Sequence, residues 1–423
     1  MRTALFAVIV ANIVCTFDAL MFEDMLLSSI NNEDIFTNLS TAIVTYVKLK
    51  DIWSLKEPSY IHEFIGENTA FSNISLKMIT TLLANGAKEG STGNELMSFW
   101  NTIDKISLND IYLSEFTFLN DIKNIELHLE NAIYVQKSVD LGADFLSICI
   151  NKLHCSISKV DFRNKVQAAE TINSWVQKTT NNEILHVISP DNIDEDTKIM
   201  LINTVYLNIE WPNFRKGKTV DRIFHISPSE MYFVPTIKFK KSMFSYGEIP
   251  HWNCKFIEIP SLNDKITMII FLPNEKMEIG NLEYLLEKFR FKEFQSVRTA
   301  YKLEQDMDLY LPKFTIQYTQ NMTNFFHRMR VTTMFENNAN FRRLSNIPLK
   351  VNDIVQKVFV KINEEDSTIP RVTFIRRRGK KSVGLPQELV VDRPFLYIIE
   401  INGKIEFIAA VRAPDYLFTR DEL

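Results

Sequence analysis

The sequence is poor in the residues and segments that mark several protein classes. Glycine occurs 11 times and proline 14 times in 423 residues, which excludes collagen-like and low-complexity chains. Lys and Arg number 48 against 52 Asp and Glu, and the net charge of -4 argues against a basic nucleic-acid-binding protein. Beyond the N-terminus no stretch is long and apolar enough to span a membrane, and no repeat, linker or composition break divides the chain. We therefore expect one globular domain.

The motifs of common enzyme classes are also missing. The sequence has no G-x-S-x-G, no glycine-rich phosphate loop, no H-E-x-x-H and no paired C-x-x-C. The seven histidines are scattered, and His154 beside Cys155 lacks further ligands at a recognised spacing. We interpret that histidine as a structural or surface residue, and we expect no enzyme activity, no cofactor and no metal ion.

Cysteine is too scarce for a disulfide scaffold. Cys15 lies in an N-terminal segment that we expect to be cleaved off. Three cysteines then remain, Cys149, Cys155 and Cys254. An odd number of thiols leaves at least one unpaired. A Cys149–Cys155 bridge and three buried thiols are the two alternatives.

Both ends of the chain have features of transport signals. Residues 1–19 start with Arg2 and an apolar run over 4–14, a pattern typical of a secretory signal peptide and too short for a membrane span. Residues 416–423 form a tail ending in Arg-Asp-Glu-Leu, close to the tetrapeptide that the endoplasmic reticulum retrieval receptor reads. A buried N-terminal helix and a frayed acidic terminus are the alternatives. We expect a protein of the secretory pathway, in the endoplasmic reticulum lumen or extracellular.

Three N-glycosylation sequons start at Asn38, Asn73 and Asn321. A secretory location would expose such sites to the glycosylation machinery. We expect a glycoprotein with sugars at Asn38 and Asn321.

Hydrophobic periodicity predicts helices mixed with many strands. Apolar residues recur at helical spacing over 37–55, over 76–83 with Gly86 at the end, and over 165–179. Apolar, β-prone runs predict strands over 201–206, 267–272, 308–315, 357–362 and 395–401. Because helices and strands do not alternate regularly, the predicted class is α+β.

Six blocks of sequence, in the same order along the chain, resemble the serpin family of protease inhibitors. The blocks are Phe71-Ser72 and Ser75 with residues 86–92, Phe162 with residues 172–176, Asn203 to Tyr206 with Trp211 and Phe214, residues 311–314, Phe359 with residues 363–365, and residues 394–396 with Ile405, Phe407, Val411 and Pro414. The resemblance implies a single serpin domain over 30–415. It also implies a large, mostly antiparallel central sheet with surrounding helices and an exposed reactive-centre loop.

The resemblance also implies a mechanism. A serpin offers an exposed loop as bait, and the protease that cuts it becomes acyl-linked. The cut loop then inserts as a new strand into the central sheet and drags the protease with it, which distorts the protease active site. The native state is metastable, and insertion releases its strain.

The family's spacing assigns the bait. The hinge begins at Glu364, which puts the reactive bond at Lys380–Lys381. Around that bond lie Arg376, Arg377, Arg378, Lys380 and Lys381, five basic residues among six. Such bait suits a protease with an acidic pocket, either trypsin-like or a proprotein convertase, and the arginines upstream of the cut favour the convertase.

The hinge departs from the family pattern. Inhibitory serpins place small residues there, whereas this hinge reads Glu364, Glu365, Asp366, Ser367 and Thr368, followed by Ile369, Pro370 and Arg371. Pro370 has no N–H for a central strand. Strand alternation puts Ser367, Ile369, Arg371 and Thr373 on one face, and the resemblance implies that this face turns inward. An unpaired buried Arg371 would cost several kcal/mol.

The shutter and breach of the family, which open during insertion, match Ser72, Ser75, Asn203 and Trp211. Gln356 stands where the family usually has a shutter histidine, and Gln can still form hydrogen bonds. Asn73 replaces a typical proline of the shutter, and we expect its sequon to be buried and unused.

Three functions follow from these features. We favour a monomeric inhibitor of basic-cutting serine proteases in the secretory pathway, whose partners are the target protease and the retrieval receptor. A non-inhibitory chaperone of the endoplasmic reticulum is the second hypothesis, and the unusual hinge favours it. The third is a protein that binds a polyanion through residues 376–381.

Overall fold

Helices and strands are both abundant in the computed structural model. The structure describes residues 68–414, except 101, 103, 124, 210–218, 228–229, 262–264, 275–280 and 363–387. In these residues eight helices occur: α1 (Asn73–Gly86), α2 (Ser91–Ser98), α3 (Lys105–Asn120), α4 (Ala143–Asn151), α5 (Lys165–Thr179), α6 (Asn281–Lys288), α7 (Phe291–Tyr301) and α8 (Thr323–Arg328).

Fourteen strands accompany these helices in the described part of the chain. They are β1 (Thr69–Ser72), β2 (Ile125–Gln136), β3 (Cys155–Val160), β4 (Ile199–Ile209), β5 (Val220–His225), β6 (Met231–Ile249), β7 (Cys254–Pro260), β8 (Ile266–Pro273), β9 (Leu303–Pro312), β10 (Phe314–Asn321), β11 (Asp353–Ile362), β12 (Glu388–Val390), β13 (Phe395–Ile401) and β14 (Lys404–Val411).

The strands form two sheets. The larger has the order β1-β14-β13-β8-β7-β6-β9-β12, with β5 paired to β6, and only its β9–β12 pair is parallel. The second has the order β10-β11-β4-β2-β3. In the second sheet, β4 is antiparallel to β2 and parallel to β11. The α+β class predicted from the sequence is confirmed.

Helix α1 lies at the centre of the core. All of its residues are buried, and Trp100 Nε1 donates to Thr80 Oγ1 at 2.6 Å, which satisfies a hydroxyl inside the helix. The helix begins after Ser72, whose side chain accepts a hydrogen bond from the backbone N–H of Ser75. The helix contains polar as well as apolar residues, and both are buried, so its burial goes beyond the apolar face that the sequence shows.

Helix α5 covers the opposite face of the five-stranded sheet. Ala168, Ala169, Ile172 and Val176 are buried against the sheet, together with residues such as Tyr206 and Phe359. These four positions follow the spacing of one helical face. The helix predicted over 165–179 is confirmed with the same bounds.

Most of the other predicted elements are also present. The predicted helix over 76–83 lies inside α1 and ends at Gly86, and the predicted strand over 395–401 is β13. The strands over 201–206, 267–272 and 357–362 lie inside β4, β8 and β11. The predicted helix over 37–55 and the signal peptide over 1–19 lie outside the described residues.

The prediction of one continuous strand over 308–315 is wrong. The run over 308–315 belongs to two strands, because β9 ends at Pro312 and β10 begins at Phe314. Pro312 has no N–H to extend the ladder, and Lys313 N donates to Pro235 O at 2.8 Å. The chain leaves the large sheet here and enters the five-stranded sheet.

The three described cysteines are buried and free. Of the two alternatives drawn from the sequence, this corresponds to three buried thiols. Burial raises the pKa of the Cys254 thiol to about 12, so the thiolate needed for disulfide exchange is scarce at neutral pH.

Candidate functional site

The candidate site is the junction between β4 and β11, which we call the seam. Nine residues of β11, Asp353 to Lys361, pair in parallel with Met200 to Asn208 of β4. After β11 the chain enters residues 363–387, which lie outside the described ranges, and it returns at β12. A strand that turned back after β11 and entered the seam would run antiparallel to both neighbours. The seam can therefore accept such a strand with an antiparallel ladder on each side. Antiparallel pairing is slightly more stable per residue than the parallel pairing it would replace.

The core face of the seam is mostly apolar. Side chains of β4 and β11 that point to this face form opposed pairs, and three of the pairs join buried aliphatic residues: Leu201 with Ile354, Val205 with Val358, and Leu207 with Val360. The fourth pair is Asn203 with Gln356. An entering strand would thus meet one polar pair among apolar ones.

That polar pair belongs to a row of amides that crosses four strands, which we call the amide row. Gln320 of β10 is opposite Gln356, Gln356 is opposite Asn203, and Asn203 is opposite Asn131 of β2. All four side chains are buried. Asn203 Nδ2 donates to Asn131 Oδ1 at 2.8 Å and to Glu130 O at 3.4 Å.

The amide row is only partly satisfied. Within the described residues, Gln356 Nε2, Gln356 Oε1, Asn203 Oδ1 and Gln320 Oε1 have no hydrogen-bond partner. Gln320 Nε2 donates to Met322 Sδ at 3.0 Å, and sulfur is a weak acceptor. Each buried polar atom without a partner costs about 1–3 kcal/mol, so the closed seam holds free energy that a new partner could release.

The first turn of α1, which packs against the five-stranded sheet, contains further buried polar groups. Ser75 Oγ and Asn73 Oδ1 have no partner within the described residues, while Ser72 caps the helix. Helix α1 packs against β4 and β2. Any widening of the seam must therefore be accommodated by this helix.

The amide row gives a first prediction. Gln356→Met should stabilise the closed seam, because it removes two partnerless buried polar atoms and nearly conserves volume. We expect the free energy of unfolding to rise by about 1–3 kcal/mol, as measured by urea denaturation. The matched control is Gln295→Met on α7, where the glutamine is exposed and the change should be within about 0.5 kcal/mol. A loss of stability in the Gln356 variant would contradict this account.

The structure brings several residues predicted as a site into one region. Ser72 and Ser75 are joined by a hydrogen bond of 3.4 Å, and Asn203 and Gln356 are opposed in the seam. The predicted breach residue Trp211 lies outside the described residues. So do the hinge residues Glu364, Glu365, Asp366, Ser367 and Thr368, the basic residues Arg376, Arg377 and Arg378, the bond Lys380–Lys381, and the tail over 416–423.

The sequons differ in burial. Asn73 is buried in the first turn of α1, whereas Asn321 is exposed at the end of β10. Asn321 Nδ2 donates to Asp353 Oδ1 at 2.7 Å, and this bond partly offsets the burial that raises the pKa of Asp353. Asn38 lies outside the described residues. Glycosylation at Asn321 therefore stays a prediction.

Two members of the amide row were missed in the sequence. Asn131 and Gln320 sit in runs that read as ordinary strand residues, and only the strand register aligns them with Asn203 and Gln356. The useful signal was present at Asn131, because an uncharged polar residue among inward-facing aliphatic ones marks an interruption of the core face.

The described ranges offer no group of three or more His, Cys, Asp or Glu side chains that could hold a metal ion. Across the same ranges, no helix has the length and apolar character needed to cross a membrane.

Comparisons with known proteins agree on one family. The family model described as serpin (serine protease inhibitor) matches residues 60–414. An antitrypsin of Bombyx mori is 30% identical over 327 residues, which cover 76% of this chain and 82% of that protein. Alaserpin of Manduca sexta is 30% identical over 355 residues, which cover 82% of this chain and 88% of that protein.

A solved structure shares the fold. The crystal structure of native protease nexin-1 with heparin aligns with a TM-score of 0.73 at 24% identity, covering 90% of this chain and 98% of that chain. The family model, the insect relatives and this shared fold all lead to the same assignment. The chain therefore belongs to the serpin family, as a serpin-type protease inhibitor.

Proposed function

We propose that this serpin inhibits serine endopeptidases that cut after basic residues, and that it acts in the secretory pathway. The reactive bond is Lys380–Lys381, and the cut loop inserts into the seam between β4 and β11. The observation that supports this most is the seam itself, a parallel junction in which a strand that entered after β11 would form an antiparallel ladder on each side.

The bait is long enough to fill the seam. Residues 363–380 comprise 18 residues, and the seam has nine paired positions, which span about 30 Å as a strand. The excess leaves room for a turn after β11. Each added backbone hydrogen bond contributes about 1 kcal/mol, which favours the inserted form.

The bait sequence supports basic specificity. Lys380 precedes the proposed cut, and Arg376, Arg377 and Arg378 lie upstream. Trypsin-like proteases carry an aspartate at the base of the pocket that binds the residue before the cut, and this carboxylate pairs with Lys or Arg. One relative of this chain is named an antitrypsin. The arginines upstream extend the match to proteases that also read positions before the cut, as convertases do.

The ends of the chain support the compartment. A signal peptide over 1–19 would direct the chain into the secretory pathway, and the terminal Arg-Asp-Glu-Leu would bring it back to the endoplasmic reticulum through its retrieval receptor. Glycans at Asn38 and Asn321 would be added on the same route.

The hinge keeps a second candidate function open. Pro370 and Arg371 oppose insertion, and Arg371 would enter a face whose opposed pairs are aliphatic except for Asn203 with Gln356. A slow insertion would let the acyl-enzyme hydrolyse, and the loop would become a substrate. The chain would then act as a non-inhibitory chaperone, or as a polyanion-binding protein that uses residues 376–381.

A covalent-complex assay tests the proposal. The full protein is mixed with trypsin and, separately, with a proprotein convertase, and the products are separated on a denaturing gel. We expect a stable band at the summed mass of the two proteins. Loop cleavage with fully active protease would contradict inhibition, and salt-sensitive heparin binding without a covalent band would favour the polyanion function.

The hinge gives a second prediction. Replacing Pro370 and Arg371 together by Ala should raise the trapped fraction of protease about threefold or more, because it restores a ladder N–H and removes a buried charge whose cost is several kcal/mol. The measurement is the molar ratio of inhibitor to protease that gives complete inhibition.

A proline beyond the reactive bond is the matched control. Pro386→Ala changes the same type of residue in the part of the loop that stays with β12, so the ratio should not change. If the double substitution left the trapped fraction unchanged, the hinge would not limit insertion.

A further inference from the structure

The hairpin of β5 and β6 exposes large apolar side chains to solvent. Ile223 of β5 is 41% exposed, and Met231 and Phe233 of β6 are 63% and 62% exposed. Ile223 lies directly opposite Phe233, and Met231 points to the same side as Phe233 because it is two residues away in the strand. The three side chains thus form one surface, which we call the hairpin patch.

The other face of this hairpin is packed on the core. Phe224 of β5 and Val234 of β6 are buried there, and the ring of Tyr232 lies 6.3 Å from that of Phe224. An antiparallel pair with one buried face commonly carries polar residues on its outer face. The hairpin patch departs from this pattern, and contiguous exposed apolar residues often mark a surface that binds another segment or molecule.

The described chain ends beside this hairpin. After β14, Ala413 N donates to Asn68 Oδ1 at 3.1 Å, and Asn68 Nδ2 donates to Ala413 O at 2.5 Å. The next carbonyl oxygen, that of Pro414, accepts a hydrogen bond from the Tyr232 hydroxyl at 3.4 Å. Tyr232 stands in β6 between the two most exposed residues of the hairpin patch. Residue 415 therefore continues from a fixed point next to this patch.

The residues after Pro414, which lie outside the described ranges, include a short apolar run. Asp415 is followed by Tyr416, Leu417 and Phe418, which we call the docking segment. Four extended residues span about 13 Å. Packed sheets lie about 10 Å apart, so a chain needs to travel only about 10 Å to pass from the side chains of one face of a strand pair to those of the other. The docking segment can therefore reach the hairpin patch.

A tethered segment suits the hairpin patch better than a separate partner does. A short flexible link gives it an effective concentration in the millimolar range, whereas a separate protein must offset the loss of translational and rotational freedom. Stable protein–protein interfaces use about 20–30 residues on each side. The hairpin patch consists of three side chains, and the docking segment offers three in return.

We propose that the docking segment folds back onto the hairpin patch, and that this docking controls how residues 420–423 are presented. Once the segment is docked, the five residues 419–423 extend beyond it and reach about 17 Å. Without docking, the nine residues after Pro414 reach about 30 Å. Docking thus holds the terminal tetrapeptide near the protein surface, where a receptor engages it less readily. This last part rests on the retrieval included in the proposed function, whereas the docking does not.

Oxidation of Met231 tests the docking in the full-length protein. Hydrogen peroxide converts an accessible methionine into its sulfoxide, and peptide mass spectrometry gives the rate at each site. The double variant Leu417→Ser with Phe418→Ser should oxidise Met231 at least threefold faster than the wild type, because the docked side chains would shield its sulfur. Met243, which is exposed further along β6, is the internal reference and should oxidise equally fast in both proteins.

A reciprocal variant changes the hairpin patch instead of the docking segment. Carboxypeptidase should remove residues past Phe418 at least threefold faster in Phe233→Ser than in the wild type, whereas the control Ile106→Ser, at an exposed apolar residue of α3, should leave the rate unchanged. Equal Met231 oxidation in the wild type and the double variant, or equal digestion of Phe233→Ser and the wild type, would overturn the docking. So would protection of Met231 that increases with protein concentration, because a second copy would then be the cover.

A secretion assay in cells tests the effect on presentation. Phe233→Ser leaves residues 415–423 intact, so its secreted fraction should be at least twofold below that of the wild type, and Ile106→Ser should match the wild type. An unchanged secreted fraction in Phe233→Ser would overturn the role in presentation. If removal of residues 420–423 did not raise secretion, the proposed retrieval would be wrong and this role with it, while the docking would still be decided by Met231.

Discussion

Replacing Lys380 by Glu should abolish the trapping of trypsin. The acidic pocket that accepts a lysine would face a second carboxylate, and neither charge would have a partner in the dry contact. We expect the second-order rate constant of inhibition to fall by about 1000-fold or more, which corresponds to about 4 kcal/mol. The measurement is the loss of trypsin activity with time at several inhibitor concentrations.

Neighbouring substitutions make this test specific. Lys381→Gln alters the residue after the cut and should change trypsin inhibition by less than about fivefold, since that residue does not enter the acidic pocket. Arg377→Ala and Arg378→Ala should weaken inhibition of a convertase much more than inhibition of trypsin. If Lys380→Glu were trapped as well as the wild type, the reactive bond would lie elsewhere in residues 376–381.

Cutting the loop should make the protein much more resistant to heat. The severed strand would gain a ladder on each side in the seam, and its backbone or side chains could reach the partnerless atoms of Asn203 and Gln356. For a domain of this size, an unfolding entropy of about 2.1 cal/mol/K per residue makes 1 kcal/mol equivalent to about 1.3 °C in Tm. A net gain of about 8 kcal/mol would therefore raise the Tm by about 10 °C, and we expect at least that. Circular dichroism of intact and loop-cleaved protein measures it.

Two arginine substitutions test whether a rise in Tm comes from insertion of the cut loop or from the cut itself. Ser367→Arg would point a charge toward the aliphatic face of the seam and should remove the gain in Tm. Thr368→Arg, on the opposite side of the same strand, should affect the gain less. If the cut wild-type protein melted at the temperature of the intact one, its loop would not insert.

The sequence predicted elements well where local pattern and burial agree. Helix α5 buries one face and β13 is buried on both, so their apolar spacing marked their bounds. The junction at Pro312 was missed, because a strand that passes from one sheet to another keeps its β-prone composition. Only the loss of an N–H at Pro312 signals the break.

The candidate site was predictable only in part. Ser72, Ser75, Asn203 and Gln356 came from the resemblance to serpins, since nothing in their local pattern shows that they converge. The alignment of Asn131 and Gln320 with these residues could not be found in sequence, because a single polar residue within a strand does not indicate which distant strand faces it. Long-range register decides such contacts, and local periodicity does not contain it.

The break at Pro312 also affects the two ends of the proposed bait. Strand β9 pairs with β12, where the chain resumes after residues 363–387, and β10 pairs with β11, where the chain leaves for them. Since β9 and β10 are joined by the single residue Lys313, the two strands that pair with β12 and β11 form one continuous stretch, Leu303 to Asn321. Any movement of one end of the proposed bait relative to the other would therefore have to bend this stretch or break one of the two pairings.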